Sequence, residues 1–204
     1  MSGTSRTSCT SCEALARLVA GNERFVRGEA RFPTVQKEIL ADLALGQSPY
    51  ATIVGCSDSR VPPELIFDAG FGELFIVRVA GNVISPEVMG TLQYAGVHLR
   101  TPLFVVLGHE GCGAVAAAVK GLDGGATQPA RIAVLLNTIL PGLRGLPPAA
   151  DGNTRLQAAV EANVRWSMHQ LLETPEGKAR VAEGEMKLVG AVYELETGRV
   201  RFLD

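Results

Sequence analysis

Two short stretches of this 204-residue chain bring metal-seeking and charged side chains together: Cys56-Ser57-Asp58-Ser59-Arg60 and His109-Glu110-Gly111-Cys112. The His-x-x-Cys spacing sets two donor atoms about one turn apart, so both can face one ion, and Cys56 is left for the fold to deliver. Two thiolates and an imidazole suit Zn²⁺. Three protein ligands leave a fourth tetrahedral position open, which marks a catalytic rather than a structural site. Gly111 and Gly113 let the backbone approach the ion. Cys112 opens an Ala-rich segment, and a helix N-terminus there favours the thiolate. Arg60 offers a planar fork that can grip Asp58 at two points and keep it ionised and oriented. A carboxylate so held can accept a hydrogen bond from a hydroxide on the ion. Singly, each of these residues has a plainer use, as a buried thiol, a loop histidine or a surface ion pair of little energetic value. Their coincidence at the ends of apolar runs points to a catalytic metal centre.

Those apolar runs are the elements that must position the site. Ala51–Gly55 leads into Cys56, Pro102–Gly108 leads into His109, and Glu73–Ala80 precedes Gly81-Asn82. Lys187–Leu195 and Val200–Leu203 flank the turn signal Thr197-Gly198. Runs of Val, Ile and Leu without polar alternation suit strands buried on both faces, as in a parallel sheet. Helical segments are predicted between them at Ser85–Val97, Gly113–Val119, Ile132–Ile139 and Asn153–Leu172, after two earlier helices at Ala14–Val26 and Val35–Leu45. Strands alternating with helices predict an α/β fold, a single domain with a mainly parallel central sheet, right-handed crossovers and ligands bound beyond the strands' carboxyl ends. Residues 1–12, rich in Ser and Thr, are expected to form a flexible tail, and 13–204 the domain.

Composition narrows the classes. A net charge of −2, scattered Lys and Arg, and 5% aromatic residues argue against nucleic acid as a partner. No run approaches the roughly 20 apolar residues that span a bilayer, and the first residues lack a secretory pattern, so no membrane partner and a cytoplasmic location are expected. Four cysteines in such a chain serve metals or catalysis more often than disulfides. Cys9 and Cys12 form a Cys-x-x-Cys in the tail with no strand beside it, and His98 and His169 read as surface or core histidines.

The sequence resembles the β-class carbonic anhydrases over nearly its whole length. The match runs through GNERFVRG (Gly21–Gly28), GCSDSRV (Gly55–Val61), VRVAGN (Val77–Asn82), GHEGCGAV (Gly108–Val115) and VGAVYELETGRVRFL (Val189–Leu203). The resemblance implies a zinc-dependent lyase that hydrates carbon dioxide reversibly to bicarbonate and a proton through a zinc-bound hydroxide. It implies one Zn²⁺ per chain on Cys56, His109 and Cys112, and a catalytic dyad of Asp58 and Arg60. In a closed state Asp58 would become the fourth ligand. Gln47, Phe75 and Tyr94 match the family's carbon dioxide pocket. Val61 and Gly113 fall beside it, and Ala80 stands where some plant-like members carry valine, which widens the pocket. Ile53 occupies the position of a Trp found in bicarbonate-regulated members, so the chain resembles the constitutively accessible subtype. The family's unit is a homodimer or a dimer of dimers, with an N-terminal helical arm packing on the partner subunit. Two other uses of the scaffold stay open: hydrolysis of an analogue such as carbon disulfide, and a non-enzymatic zinc or bicarbonate-binding module closed by Asp58.

Overall fold

Ala51–Gly55 (β1), Leu74–Arg78 (β2), Leu103–His109 (β3) and Lys187–Tyr193 (β4) line up in parallel in the order β2-β1-β3-β4, and Val200–Leu203 (β5) closes the far edge antiparallel to β4. The computed structural model describes residues 9–31, 37–125, 128–146 and 151–203. Every residue of β1 and β3 is buried, because helices cover both faces of the sheet. Alternate side chains feed two cores, as the strand period of two requires. On one face Val54, Val106 and Val192 pack with helices α4 (Pro86–Val97), α5 (Gly113–Leu122), α6 (Ala130–Ile139) and α7 (Gly152–Leu172). On the other, Ile53, Val105 and Leu107 pack with α1 (Ser11–Val26) and α3 (Pro63–Ile66). Two further helices are α2 (Lys37–Leu43), between α1 and β1, and α8 (Pro175–Ala182), between α7 and β4.

The predicted strands and longer helices are present within a few residues of their expected ends. His109 is itself the last residue of β3, paired with Tyr193, rather than the first residue beyond the strand. Residues 35 and 36 of the second predicted helix lie outside the described residues. Helices α3 and α8 were not anticipated. Each has proline in its first turn, and α8 is capped by Thr174, whose hydroxyl accepts the Gly177 N–H at 3.0 Å.

The first helix corrects one expectation. Ser11 and Cys12 belong to α1 rather than to a tail: Thr10 accepts the Glu13 N–H at 3.3 Å, and the Glu13 carboxylate takes the Thr10 N–H at 2.7 Å, a reciprocal cap that sets the helix start. Residues 1–8 lie outside the described residues. The helix packs part of its apolar stripe on its own chain, with Ala14 and Leu18 fully buried in the second core. Buried Asn22 fastens it there, donating to the carbonyls of Ile66 (3.2 Å) and Gly198 (2.8 Å) and accepting the Val200 N–H at 2.9 Å.

The closeness of α1 to the end of α3 rests on Gly21. A Cβ at that position would lie 1.9 Å from the Phe67 carbonyl oxygen. Alanine normally favours a helix interior over glycine by about 1 kcal/mol. Here Gly21→Ala is expected to destabilise the protein by about 1–3 kcal/mol, seen as a lower midpoint in urea with an unchanged m-value. A stabilised variant would refute this packing.

Candidate metal centre

Because β1 and β3 are parallel neighbours with Gly55 opposite Leu107, the residues that follow them emerge side by side at one sheet edge. Cys56 comes directly off β1 and His109 ends β3. Gly111 then turns the chain with a φ of 61°, a conformation glycine takes without strain, and Cys112 becomes the N-cap of α5. The donor atoms of Cys56, His109 and Cys112 all lie within 4.8 Å of one another. The two sulfurs are 4.0 Å apart; thiolates at roughly 2.3 Å from one tetrahedral ion would stand about 3.8 Å apart.

The histidine is oriented to match. Its Nδ1–H donates to the Glu110 carbonyl at 2.8 Å, which leaves the lone pair on Nε2. Nε2 is buried and has no hydrogen-bond partner, a costly state for a polar atom unless it binds something. The hydrogen bond between the two sulfurs pushes the Cys56 thiol well down and Cys112 up, and burial raises Cys112 further. The pair thus shares a proton that a divalent cation would displace. A buried, deprotonatable sulfur pair facing an orphaned imidazole nitrogen fits a Zn²⁺ ligand set.

Asp58 stands at the mouth of this group. Its Oδ1 accepts the Arg60 backbone N–H at 3.0 Å and Nε–H at 2.9 Å, while Oδ2 accepts Nη2–H at 2.8 Å. These bonds hold the Asp58 carboxyl far below the usual carboxylate range, so it is ionised at neutral pH. Oδ2 lies 3.9 Å from His109 Nε2. A second arginine steadies the loop: Arg78, at the end of β2, donates from Nε to the Cys56 carbonyl at 2.9 Å and from Nη2 to the Asp58 carbonyl at 2.5 Å. Gly81 N–H donates to Cys56 Sγ at 3.3 Å.

The structure therefore gathers Cys56, His109, Cys112, Asp58 and Arg60. Ala80 is half-buried beside Gly81, and Gly113 is the exposed residue after Cys112. Val61 is fully buried just past Arg60, its N–H bonded to the Asp58 carbonyl at 3.0 Å. Phe75 is placed otherwise. It pairs with Thr52, four residues before Cys56, roughly 13 Å back along the strand. Its ring lies 6.4 Å from that of Tyr94, which is half-exposed and stacks on His98 at 4.9 Å. Gln47 is exposed, and Ile53 is core. His169 is exposed against Trp166, and Cys12 is exposed in α1.

Sequence reasoning assigned no role to Arg78, to the Gly81-Asn82 turn, or to Asn163 and Ser167, which hold that turn from α7. Arg78 and the turn sit inside the quoted VRVAGN stretch. The only signal for the other two is their i, i+4 spacing amid apolar neighbours.

Comparison with known proteins gives concordant results. The family model described as carbonic anhydrase matches residues 51–200. The chain is 38% identical over 188 residues to carbonic anhydrase 2 of Mycobacterium tuberculosis (strain CDC 1551 / Oshkosh), covering 92% of this chain and 90% of that protein. It is 38% identical over 181 residues to a carbonic anhydrase of Mycolicibacterium smegmatis, covering 88% and 87%. Among solved structures it is similar to the β-carbonic anhydrase CcaA, with a TM-score of 0.76 and 27% identity over 93% of this chain and 95% of that one.

If the three donors form one centre, each is needed. Cys56→Ser and Cys112→Ser are expected to lose most of the bound zinc in elemental analysis of purified protein; a full equivalent in either variant would remove that residue from the ligand set.

Proposed function

The chain belongs to the β-class carbonic anhydrase family, and from that premise we propose that it hydrates carbon dioxide reversibly to bicarbonate and a proton, with Zn²⁺ on Cys56, His109 and Cys112. The observation that carries this reading is the buried, unpartnered Nε2 of His109 facing two thiols, with an ionised carboxylate fixed at the same opening. When bound, the ion supplies Lewis acidity that makes water nucleophilic at neutral pH.

The protein's part is orientation and charge. Two thiolates balance the ion's two positive charges, so the imidazole adds a ligand without adding charge. Asp58 Oδ2 accepts a hydrogen bond from the attacking water and aims its oxygen at the substrate carbon. Arg60 keeps that carboxylate ionised and, by holding both oxygens, opposes its turning inward to become a fourth ligand. Arg78 keeps the loop backbone from yielding as the proton is passed on. Ala80, Val61 and Gly113 form the near wall, small or apolar enough to admit carbon dioxide.

Phe75 on β2 and Tyr94 on α4 pair with ring centroids 6.4 Å apart, Phe75 lying beside Thr52, four residues back from Cys56. β2 is an edge strand with an apolar Leu74–Val77 run, and an edge of this kind offers its backbone to another chain. We assign Phe75 and Tyr94, together with Gln47 as an amide donor to the substrate oxygens, to a pocket completed where two copies meet on this edge. Light scattering is expected to give at least twice the chain mass, and a strictly monomeric active enzyme would refute that arrangement. Among the described residues no helix is long and apolar enough to cross a membrane. The compartment proposed is the cytoplasm, whose reducing conditions keep a close thiol pair available to metal.

The dyad separates binding from turnover. Asp58→Asn and Arg60→Ala are expected to retain zinc while carbon dioxide hydration in stopped flow falls by about 10–100-fold; near-normal rates in either variant would sink that role.

A further inference from the structure

After β2 the chain makes a single turn in which Gly81 has a φ of 67° and Asn82 a φ of 45°. Glycine takes this left-handed region freely, and Asn is among the few other residues that enter it. Space also demands glycine there, since a Cβ on Gly81 would lie 2.8 Å from Ile139 Cδ1 and 3.2 Å from Ala114 Cβ. The turn presents the Gly81 N–H to Cys56 Sγ at 3.3 Å.

Helix α7 grips the same turn from behind. Asn163 Nδ2 donates to the Gly81 carbonyl at 2.8 Å, and Ser167 Oγ donates to the Asn82 carbonyl at 3.1 Å. Asn82 Nδ2 lies 3.4 Å from Ser167 Oγ. Asn82, Asn163 and Ser167 are each 1% exposed, in a layer otherwise built of Val, Leu and Ile. Asn163 also leaves its Oδ1 buried without a partner. In that apolar layer the polar side chains stand where they satisfy the buried carbonyls of the turn, so their place is set by the turn and not by apolar packing.

We propose that Asn163 and Ser167 are positioning residues for the metal centre: they hold the left-handed Gly81-Asn82 turn so that one backbone N–H meets the Cys56 sulfur. That bond fixes the direction of the sulfur and draws charge from it, which tunes how strongly the thiolate donates to the ion. The inference rests on Cys56 being a metal ligand.

The test uses the full-length protein loaded with Co²⁺, whose thiolate-to-metal absorption in the near ultraviolet reports on the sulfurs directly. Asn163→Ala is expected to shift that band and to lose cobalt to a chelator about 10–100-fold faster than the parent. Ser167→Ala is expected to move both readouts the same way by less, and it decides the matter if Asn163→Ala does not fold. Leu171→Ala, one turn further along α7 and buried, serves as the control: it should lower the melting temperature while leaving band and release rate unchanged. Parent-like band and rate in the polar variants, or an equal shift in Leu171→Ala, would overturn the inference. A parent protein that takes up no cobalt would remove the metal centre itself, and the inference with it, which is a different result from normal uptake with indifferent variants.

Discussion

Two sulfurs held 4.0 Å apart in a buried layer are the constraint around which this structure is arranged. Left to themselves, two close thiols in a low-dielectric setting share a proton, and an imidazole lone pair beside them has nothing to bond. Such a cluster contributes little to stability and is poorly placed to be an accident of packing. Its separation is also too well matched to one tetrahedral ion for the sulfurs to be read as small hydrophobes. The sheet order supplies the reason they meet. β1 and β3 are adjacent and parallel, so their carboxyl ends open together, and the Gly111 turn folds Cys112 back over the gap.

Around that group the side chains fall into two sets by position. Gly81, Asn163 and Ser167 act on backbone and sulfur from within the core, and Arg78 holds the Cys56 and Asp58 carbonyls from the end of β2. Asp58 and Arg60 stand at the opening and face solvent in part, with Asp58 18% and Arg60 55% exposed at the side chain. The division matters because a carboxylate so near a cation has two uses. It can ligate the ion, or it can order a water on it. Three hydrogen bonds from one arginine bias Asp58 toward the second use, since turning inward would break the two-point grip.

The same topology sets where Phe75 and Tyr94 lie. A sheet buried on both faces has no room for a substrate cavity beside its own central strands. Phe75 and Tyr94 lie at the free edge, on β2 and in α4. Beside this apolar edge strand Phe75 is half-buried and Tyr94 half-exposed.

The donor set and the dyad were legible in the sequence because their chemistry is local: the His109–Cys112 and Asp58–Arg60 spacings already allow each pair to act together. The strands were legible because burial on both faces leaves unbroken apolar runs. Helix α8 carried a readable Thr174-Pro175-Glu176 start that nonetheless went unassigned. What no spacing could convey was long-range. The sequence alone determined which residues could bind a metal and orient a water. Only the tertiary structure decided that Cys56 joins His109 and Cys112, that Ala14 and Leu18 of α1 are buried in their own chain, that Phe75 pairs with Thr52 four residues back from Cys56, and that Asn163 and Ser167, two polar residues on a long helix, hold the turn behind a sulfur. The physical reason is that pairing along a chain follows from helix and strand periodicity, whereas these contacts depend on which strands lie side by side and how closely the helices cover them.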